Sequence, residues 1–207
     1  MKGRFITFEG CEGSGKSTQI RLLSERLKKE GISHIVTREP GGSDIAEQIR
    51  SIILNGKNTA MCDQCEALLY AAARAQHLAE KVKPALDKGL LVLCDRYVDS
   101  SLAYQGYARG LGAEFIKEIN SFAIKDFRPD MTLFLNISPD AAFARKHGAD
   151  EGDRMEQLGL SFHRKVYEGY LALANEYPER IVKVECGGSK FDTAERVYGI
   201  LKAAKII

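Results

Sequence analysis

The stretch that most limits how this chain can fold is EGCEGSGKST, residues 9–18. It follows the apolar run Phe5-Ile6-Thr7-Phe8 and precedes a helix-like run carrying Ile20, Leu22, Leu23 and Leu27. Gly10, Gly15, Lys16 and Ser17 occupy the fixed places of G-x-x-x-x-G-K-[ST]. A glycine-rich loop between strand and helix wraps phosphates, because its backbone N–H groups turn inward without side-chain clash. The helix adds its positive N-terminal end at the same point. Lys16 then reaches the β- and γ-phosphates of a nucleotide, and Ser17 ligates Mg²⁺. A glycine-rich turn with an incidental lysine would have no need of the strand before it or the helix after it.

The rest of the chain repeats that alternation. Short β-rich runs at 4–9, 34–38, 90–95, 131–137 and 181–185 are separated by helical patterns at 17–30, 43–54, 65–88, 114–125, 139–147 and 160–176, with 192–204 closing the chain. Most of the strands are continuously apolar, as expected when helices cover both faces of a sheet. Alternating strand and helix predicts an α/β fold: a five-stranded parallel sheet in one domain spanning 1–207. Ligands of such sheets bind beyond the carboxyl ends of the strands.

Bulk properties narrow the functions open to the chain. A net charge of +2 over 207 residues argues against nucleic acid or a membrane surface as partner. No apolar run approaches the ~20 residues of a membrane span. The N-terminal MKGRFITFEG lacks the apolar core of a signal peptide, so the cytoplasm is the expected compartment. Cys11, Cys62, Cys65, Cys94 and Cys186 are odd in number and scattered, unlike a disulfide framework. Cys62 and Cys65 form a lone C-x-x-C without a second pair to complete a zinc site. Cys94 reads as a small buried hydrophobe.

The strand ends carry the chemistry. TREPGGS, 37–43, offers Arg38 as a two-pronged phosphate clamp ahead of a tight turn. The apolar strand 90–95 ends in Asp95-Arg96-Tyr97, and Asp95 is the carboxylate a phosphate loop needs for Mg²⁺. Arg96 adds a second cation. Tyr70 and Arg74, four apart in a helical pattern, share one face suited to stacking on and hydrogen-bonding a planar base. They fit equally a core tyrosine beside a snorkelling arginine. SSLAYQGYARG, 100–110, is either a pocket lining or an ordinary loop. ARKHGADEGDR, 144–154, reads as a mobile lid with arginines available.

FEGCEGSGKST, TREPGG, DRY and AYQG occur together in an order and spacing that resemble the thymidylate kinases, and the likeness runs over essentially the whole chain. The resemblance implies a P-loop NTPase fold with a short lid at about 144–155, and transfer of the ATP γ-phosphate to dTMP. It implies that Gly10, Cys11, Glu12, Gly13, Ser14, Gly15, Lys16, Ser17 and Thr18 line the ATP phosphates, with Mg²⁺ held through Ser17 and Asp95. Glu12 resembles the family's acidic residue near the sugar hydroxyl of dTMP. Arg38 and Arg96 resemble the grip on the acceptor phosphate. Tyr70 resembles the residue stacking on thymine, Arg74 the one bonding its edge, and Tyr97 the one crowding out a ribose 2′-hydroxyl. Ser101, Tyr104 and Gln105 resemble further base-side contacts. A homodimer is also implied.

Cys11 and Glu12 leave no arginine inside the loop, so the lid-arginine, bacterial type is implied. Arg145 is then the first choice for the cation meeting the transferring phosphate, and Arg154 the second. Lys16, Asp95 and Arg96 complete the expected catalytic set. Two rivals remain at this level: another nucleoside monophosphate kinase, and a nucleotide-dependent switch. A switch has no use for two clamping arginines and a second base pocket.

Overall fold

The computed structural model describes residues 3–145 and 154–207. Five strands, β1 Arg4–Glu9, β2 His34–Arg38, β3 Leu91–Asp95, β4 Met131–Asn136 and β5 Ile181–Glu185, form one parallel sheet in the order β2-β3-β1-β4-β5. The helices are α1 Lys16–Lys29, α2 Asp44–Leu54, α3 Asp63–His77, α4 Lys83–Asp87, α5 Val98–Ser101, α6 Ala113–Ile124, α7 Pro139–Arg145, α8 Gly159–Glu176 and α9 Lys190–Ala203.

Strand periodicity explains why the central strands are apolar throughout. Successive side chains point to opposite faces, and here both faces are covered. Ile6, Phe8, Leu91, Leu93, Leu133 and Leu135 pack with Ile20, Leu23 and Leu27 of α1 and Val197 and Leu201 of α9. The alternate residues feed the other side. Phe5, Val92 and Cys94 meet Leu78 and Val82, while Phe134 and Ile181 meet Val166, Tyr170 and Leu173 of α8. Cys94 is fully buried there, as its sequence context suggested. The edge strands β2 and β5 are only partly buried and less uniformly apolar.

Two segments depart from the expected outline. The run 65–88 is not one regular helix: a π-helical turn, Leu78–Val82, links α3 to α4. The stretch 100–110 is neither a loop nor polar surface. It continues α5 as a second π-helical segment, Leu102–Ala108, with Leu102 to Gly106 buried against α8. Such π-turns gather at functional sites, and here the widened turn carries Tyr104 and Gln105. The expected lid, 144–155, lies mostly outside the described residues, and so does the Arg145 side chain.

Register places the site. Phe8 and Arg38 both pair with Asp95, so β1, β2 and β3 end side by side. The residues that follow them, Glu9-Gly10, Glu39-Pro40 and Arg96-Tyr97, therefore emerge at one edge.

Candidate active site

The loop after β1 closes on the Lys16 ammonium. Lys16 Nζ donates to the carbonyls of Cys11 and Gly10, at 3.0 and 3.2 Å. Burial pushes its pKa down. Two positions demand glycine. Gly13 has φ 73°, and a Cβ there would sit 2.8 Å from the Ala142 carbonyl oxygen; Gly15, at φ 93°, precedes the first turn of α1. Cys11 contributes backbone only. Its thiol is buried, reaches toward the His163 carbonyl at 4.0 Å, and is pushed up to about 11 by burial.

Ser17 Oγ donates to Asp95 Oδ2 at 2.9 Å. A hydroxyl and a carboxylate side by side at the front of the loop are the oxygen donors that suit Mg²⁺. The described residues hold no cluster of three or more His, Cys, Asp or Glu fit for a metal.

Arg96 is the hinge of the site. It has φ 68°, a left-handed conformation that costs a non-glycine residue about 1–3 kcal/mol. Its backbone N–H donates to Phe8 O at 2.9 Å. Its guanidinium donates to Glu12 Oε1 at 2.5 Å, Gly10 O at 3.0 Å, and Ser100 Oγ and Tyr170 OH at 3.2 Å each. Arg96 in turn holds the Glu12 carboxyl down at about 2, so Glu12 is anionic at neutral pH. Glu9, fully buried beneath, accepts from the Tyr97 and Ser100 amides and from the Ser100 and Tyr170 hydroxyls. Burial, and then the nearby Asp99 charge, raise it to about 7.

A small cavity of about 70 Å³ opens beside Arg96. Tyr70, Arg74, Tyr97, Ser101, Tyr104 and Gln105 all line it, so the expected base-side residues do converge. Arg74 is 1% exposed and held from three sides: Nε to Glu39 Oε2 at 2.7 Å, Nη1 to Asn120 Oδ1 at 2.5 Å, and Nη2 to Ser101 Oγ at 3.0 Å. Those bonds use three of its five N–H groups. Tyr97 is buried too, its ring edge-on to Phe5 and its hydroxyl donating to Phe127 O at 2.9 Å. Tyr104 lies under the Arg96 guanidinium, 5.2 Å from ring centroid to Cζ, and its buried hydroxyl finds no partner among the described residues.

A second, larger cavity of about 510 Å³ is lined by Gly13, Gly15, Lys16, Ser17, Thr18, Arg38 and Asp95. The two cavities share Glu12, Glu39, Arg50 and Arg96. Arg38 is half exposed and gives Nη2 to both Glu47 oxygens at 2.9 Å. An exposed pair of that kind contributes about 0–1 kcal/mol, so a phosphate can displace it.

Arg154 differs from its expected setting. Instead of extending from a lid it is buried, donating from Nε to Ile53 O at 2.8 Å and from Nη2 to Glu66 Oε2 at 2.5 Å. The structure also supplies groups that sequence reasoning passed over. Arg50, bonded to Pro40 O at 2.8 Å, stands at the junction of the cavities. Glu39 divides its oxygens between Arg74 and His77. Glu9 underlies Arg96 and Tyr97. Glu39 and Glu9 lie inside the quoted motifs, so strand-end position was an available signal; Arg50, in mid-helix, offered none.

The family model for thymidylate kinase matches residues 8–196. The chain is 52% identical to the thymidylate kinase of Bacillus pumilus over 98% of its own length and 96% of that protein's. It is 50% identical to the thymidylate kinase of Clostridium novyi, covering 97% of this chain and 99% of the other. Its fold matches the crystal structure of thymidylate kinase from Ehrlichia chaffeensis with a TM-score of 0.77 at 30% identity, covering 98% and 99% of the two chains.

Proposed function

This chain belongs to the thymidylate kinase family, and from that premise we propose how its two cavities divide the reaction. The protein transfers the γ-phosphoryl group of ATP to dTMP, giving dTDP and ADP, in the synthesis of dTTP. One observation carries the division of labour: the cavity lined by Tyr70, Arg74 and Gln105 and the phosphate loop adjoin through two shared arginines, Arg50 and Arg96.

ATP places its phosphates along Gly10 to Thr18, against backbone N–H groups and Lys16. Magnesium fits Ser17 and Asp95, and when bound it supplies charge neutralisation between the phosphates. dTMP lays its base between Tyr70 and the Arg74–Gln105 side, with Ser101 and Tyr104 completing the wall. Its sugar lies over Tyr97, with Glu12 at the hydroxyl. Its phosphate meets Arg38, Arg50 and Arg96 at the junction. Phosphoryl transfer asks the protein for position and electrostatics more than covalent chemistry. Arg96 suits this role because Glu12, Gly10 and Ser100 already fix its guanidinium, so little reorganisation accompanies reaction. Arg145 is the cation that meets the transferring group. Arg154, engaged by Glu66, braces the base of the lid instead.

The reaction belongs in the cytoplasm; among the described residues no helix is long and apolar enough to cross a membrane. A homodimer would cover Leu68 of α3 and Phe122 of α6, which are 53% and 96% exposed on two helices packed together.

The test is ADP release with ATP, Mg²⁺ and a panel of nucleoside monophosphates. dTMP is turned over fastest; faster turnover of AMP or GMP would overturn the reading.

A further inference from the structure

Gln105 has an amide whose two ends look alike in shape but oppose each other in chemistry. One end donates and the other accepts. Which end faces the base cavity decides what base edge the site can read. The surrounding network settles that orientation. Gln105 Nε2 donates to Glu66 Oε1 at 2.8 Å. Glu66 is fully buried, and its oxygens also receive Arg109 Nε at 3.3 Å, Arg109 Nη2 at 2.9 Å and Arg154 Nη2 at 2.5 Å. Two guanidinium groups that only donate keep Glu66 an acceptor-only carboxylate. A carboxylate facing Gln105 can take the amide N–H and cannot serve the amide oxygen. The oxygen is therefore the end turned away from Glu66.

Building on the thymidylate kinase reading, we propose that Glu66, which lines neither cavity, is a specificity-determining positioning residue. It locks the Gln105 amide with its carbonyl oxygen toward the base, and so sets the site to read a pyrimidine imide. A thymine edge offers an N3–H donor beside the O4 acceptor. Gln105 Oε1 takes the first, and the free N–H groups of Arg74 supply the second. Cytosine reverses both positions, with an N3 acceptor and an N4 amino donor. A fixed acceptor at Gln105 and a fixed donor at Arg74 then leave two mismatches, each at a buried group. Rejection by unpaired buried groups is the strong form of discrimination. Arg74 is fixed by Glu39, Asn120 and Ser101; Gln105 owes its orientation to Glu66. The pairing spans α3 and the π-helical segment Leu102–Ala108, which explains why no local motif announces it.

The discriminating experiment measures kcat/KM for dTMP and dCMP, the KM for ATP and the thermal midpoint in wild type, Glu66→Gln, Gln105→Leu and the double variant. In Glu66→Gln the new amide keeps an oxygen for the arginines and can turn its NH₂ to Gln105, allowing Gln105 to flip. The dTMP preference over dCMP should fall at least about tenfold, with the KM for ATP unmoved. In the Gln105→Leu background, adding Glu66→Gln should change that preference less than about twofold. A general loss of packing would lower both substrates together and leave the preference intact. An unchanged preference in Glu66→Gln, or in Gln105→Leu, would overturn the proposal, as would equal, independent losses from the two substitutions. A second readout needs no change at Glu66. The Gln105 side-chain amide, assigned by its loss in Gln105→Leu, should exchange slowly with solvent in the ligand-free enzyme; exchange as fast as an exposed amide overturns the orientation. A wild-type enzyme that prefers another monophosphate would remove the parent reading instead, which separates the two failures.

Discussion

The two ends of the cleft are built on opposite plans. At the phosphate end one stretch of sequence, residues 10–18, supplies Glu12, Gly13, Gly15, Lys16, Ser17 and Thr18, about half of the lining. Its outlying arginine, Arg38, is half exposed and paired with an equally accessible Glu47. At the base end the lining comes from α2, α3, the strand ends and the π-helical segment, and it consists of side chains. Arg74 and Gln105 are committed there in advance: Arg74 to Glu39, Asn120 and Ser101, and Gln105 to Glu66. The difference follows from what each end must recognise. Any triphosphate can be held by N–H groups and a cation, so geometry alone suffices. A particular base must be told from its rivals, which requires donors and acceptors that cannot rotate to suit the wrong one.

Breaking the phosphate end should cost the most in rate. Lys16→Met should lower kcat by about 10²–10³, the scale for losing one preorganised electrostatic group, as read by coupled ADP release. A kcat within tenfold of wild type would mean that the loop backbone alone carries the charge. Next in size is the lid. Arg145→Ala should lower kcat about a hundredfold with little change in the KM for dTMP. Arg154→Ala should chiefly lower stability, by about 1–3 kcal/mol in denaturant unfolding, because a buried carboxylate loses a partner. Equal kcat losses in both variants would place Arg154 at the transferring phosphate and undo the contrast drawn between them.

Glu9 sharpens the comparison because it stands beside the loop in sequence yet is built like the base end, buried and ringed by donors. In the unfolded chain it ionises near 4.5, in the fold near 7. Between those values folding takes up a proton, so stability falls as pH rises across that window and levels off above it. Relative to Glu9→Gln, wild type should lose at most roughly 3 kcal/mol between pH 4.5 and 7. A flat difference across that window would show that the four donors, with Arg96, keep the carboxylate ionised.

That contrast also accounts for what could be read from the sequence. The loop was legible because its conformation depends on neighbours along the chain: glycines at positive φ, a lysine one residue into a helix, a strand just before. The sheet was legible for a similar reason, since β1, β3 and β4 are apolar on both faces. The π-helical turns were not, because their hydrogen-bond shift depends on what packs beside them; Leu102–Ala108 fits against α8. Tyr70, Arg74, Ser101, Tyr104 and Gln105 could be named from the resemblance, but not their partners. Glu39, Asn120 and Glu66 lie 35, 46 and 39 positions away from the groups they fix, and no local pattern spans such distances. Arg154 shows the same limit. Its sequence neighbourhood is charged and glycine-rich, yet Glu66 draws it inside.

The central claim is that the two ends act separately on two nucleotides. Calorimetric titration of dTMP alone, without ATP or Mg²⁺, into wild type, Lys16→Met and Arg74→Ala tests it most directly. The account predicts the same Kd for wild type and Lys16→Met, and a Kd roughly tenfold to a hundredfold weaker for Arg74→Ala. A Lys16→Met enzyme weakened as much as Arg74→Ala would contradict it.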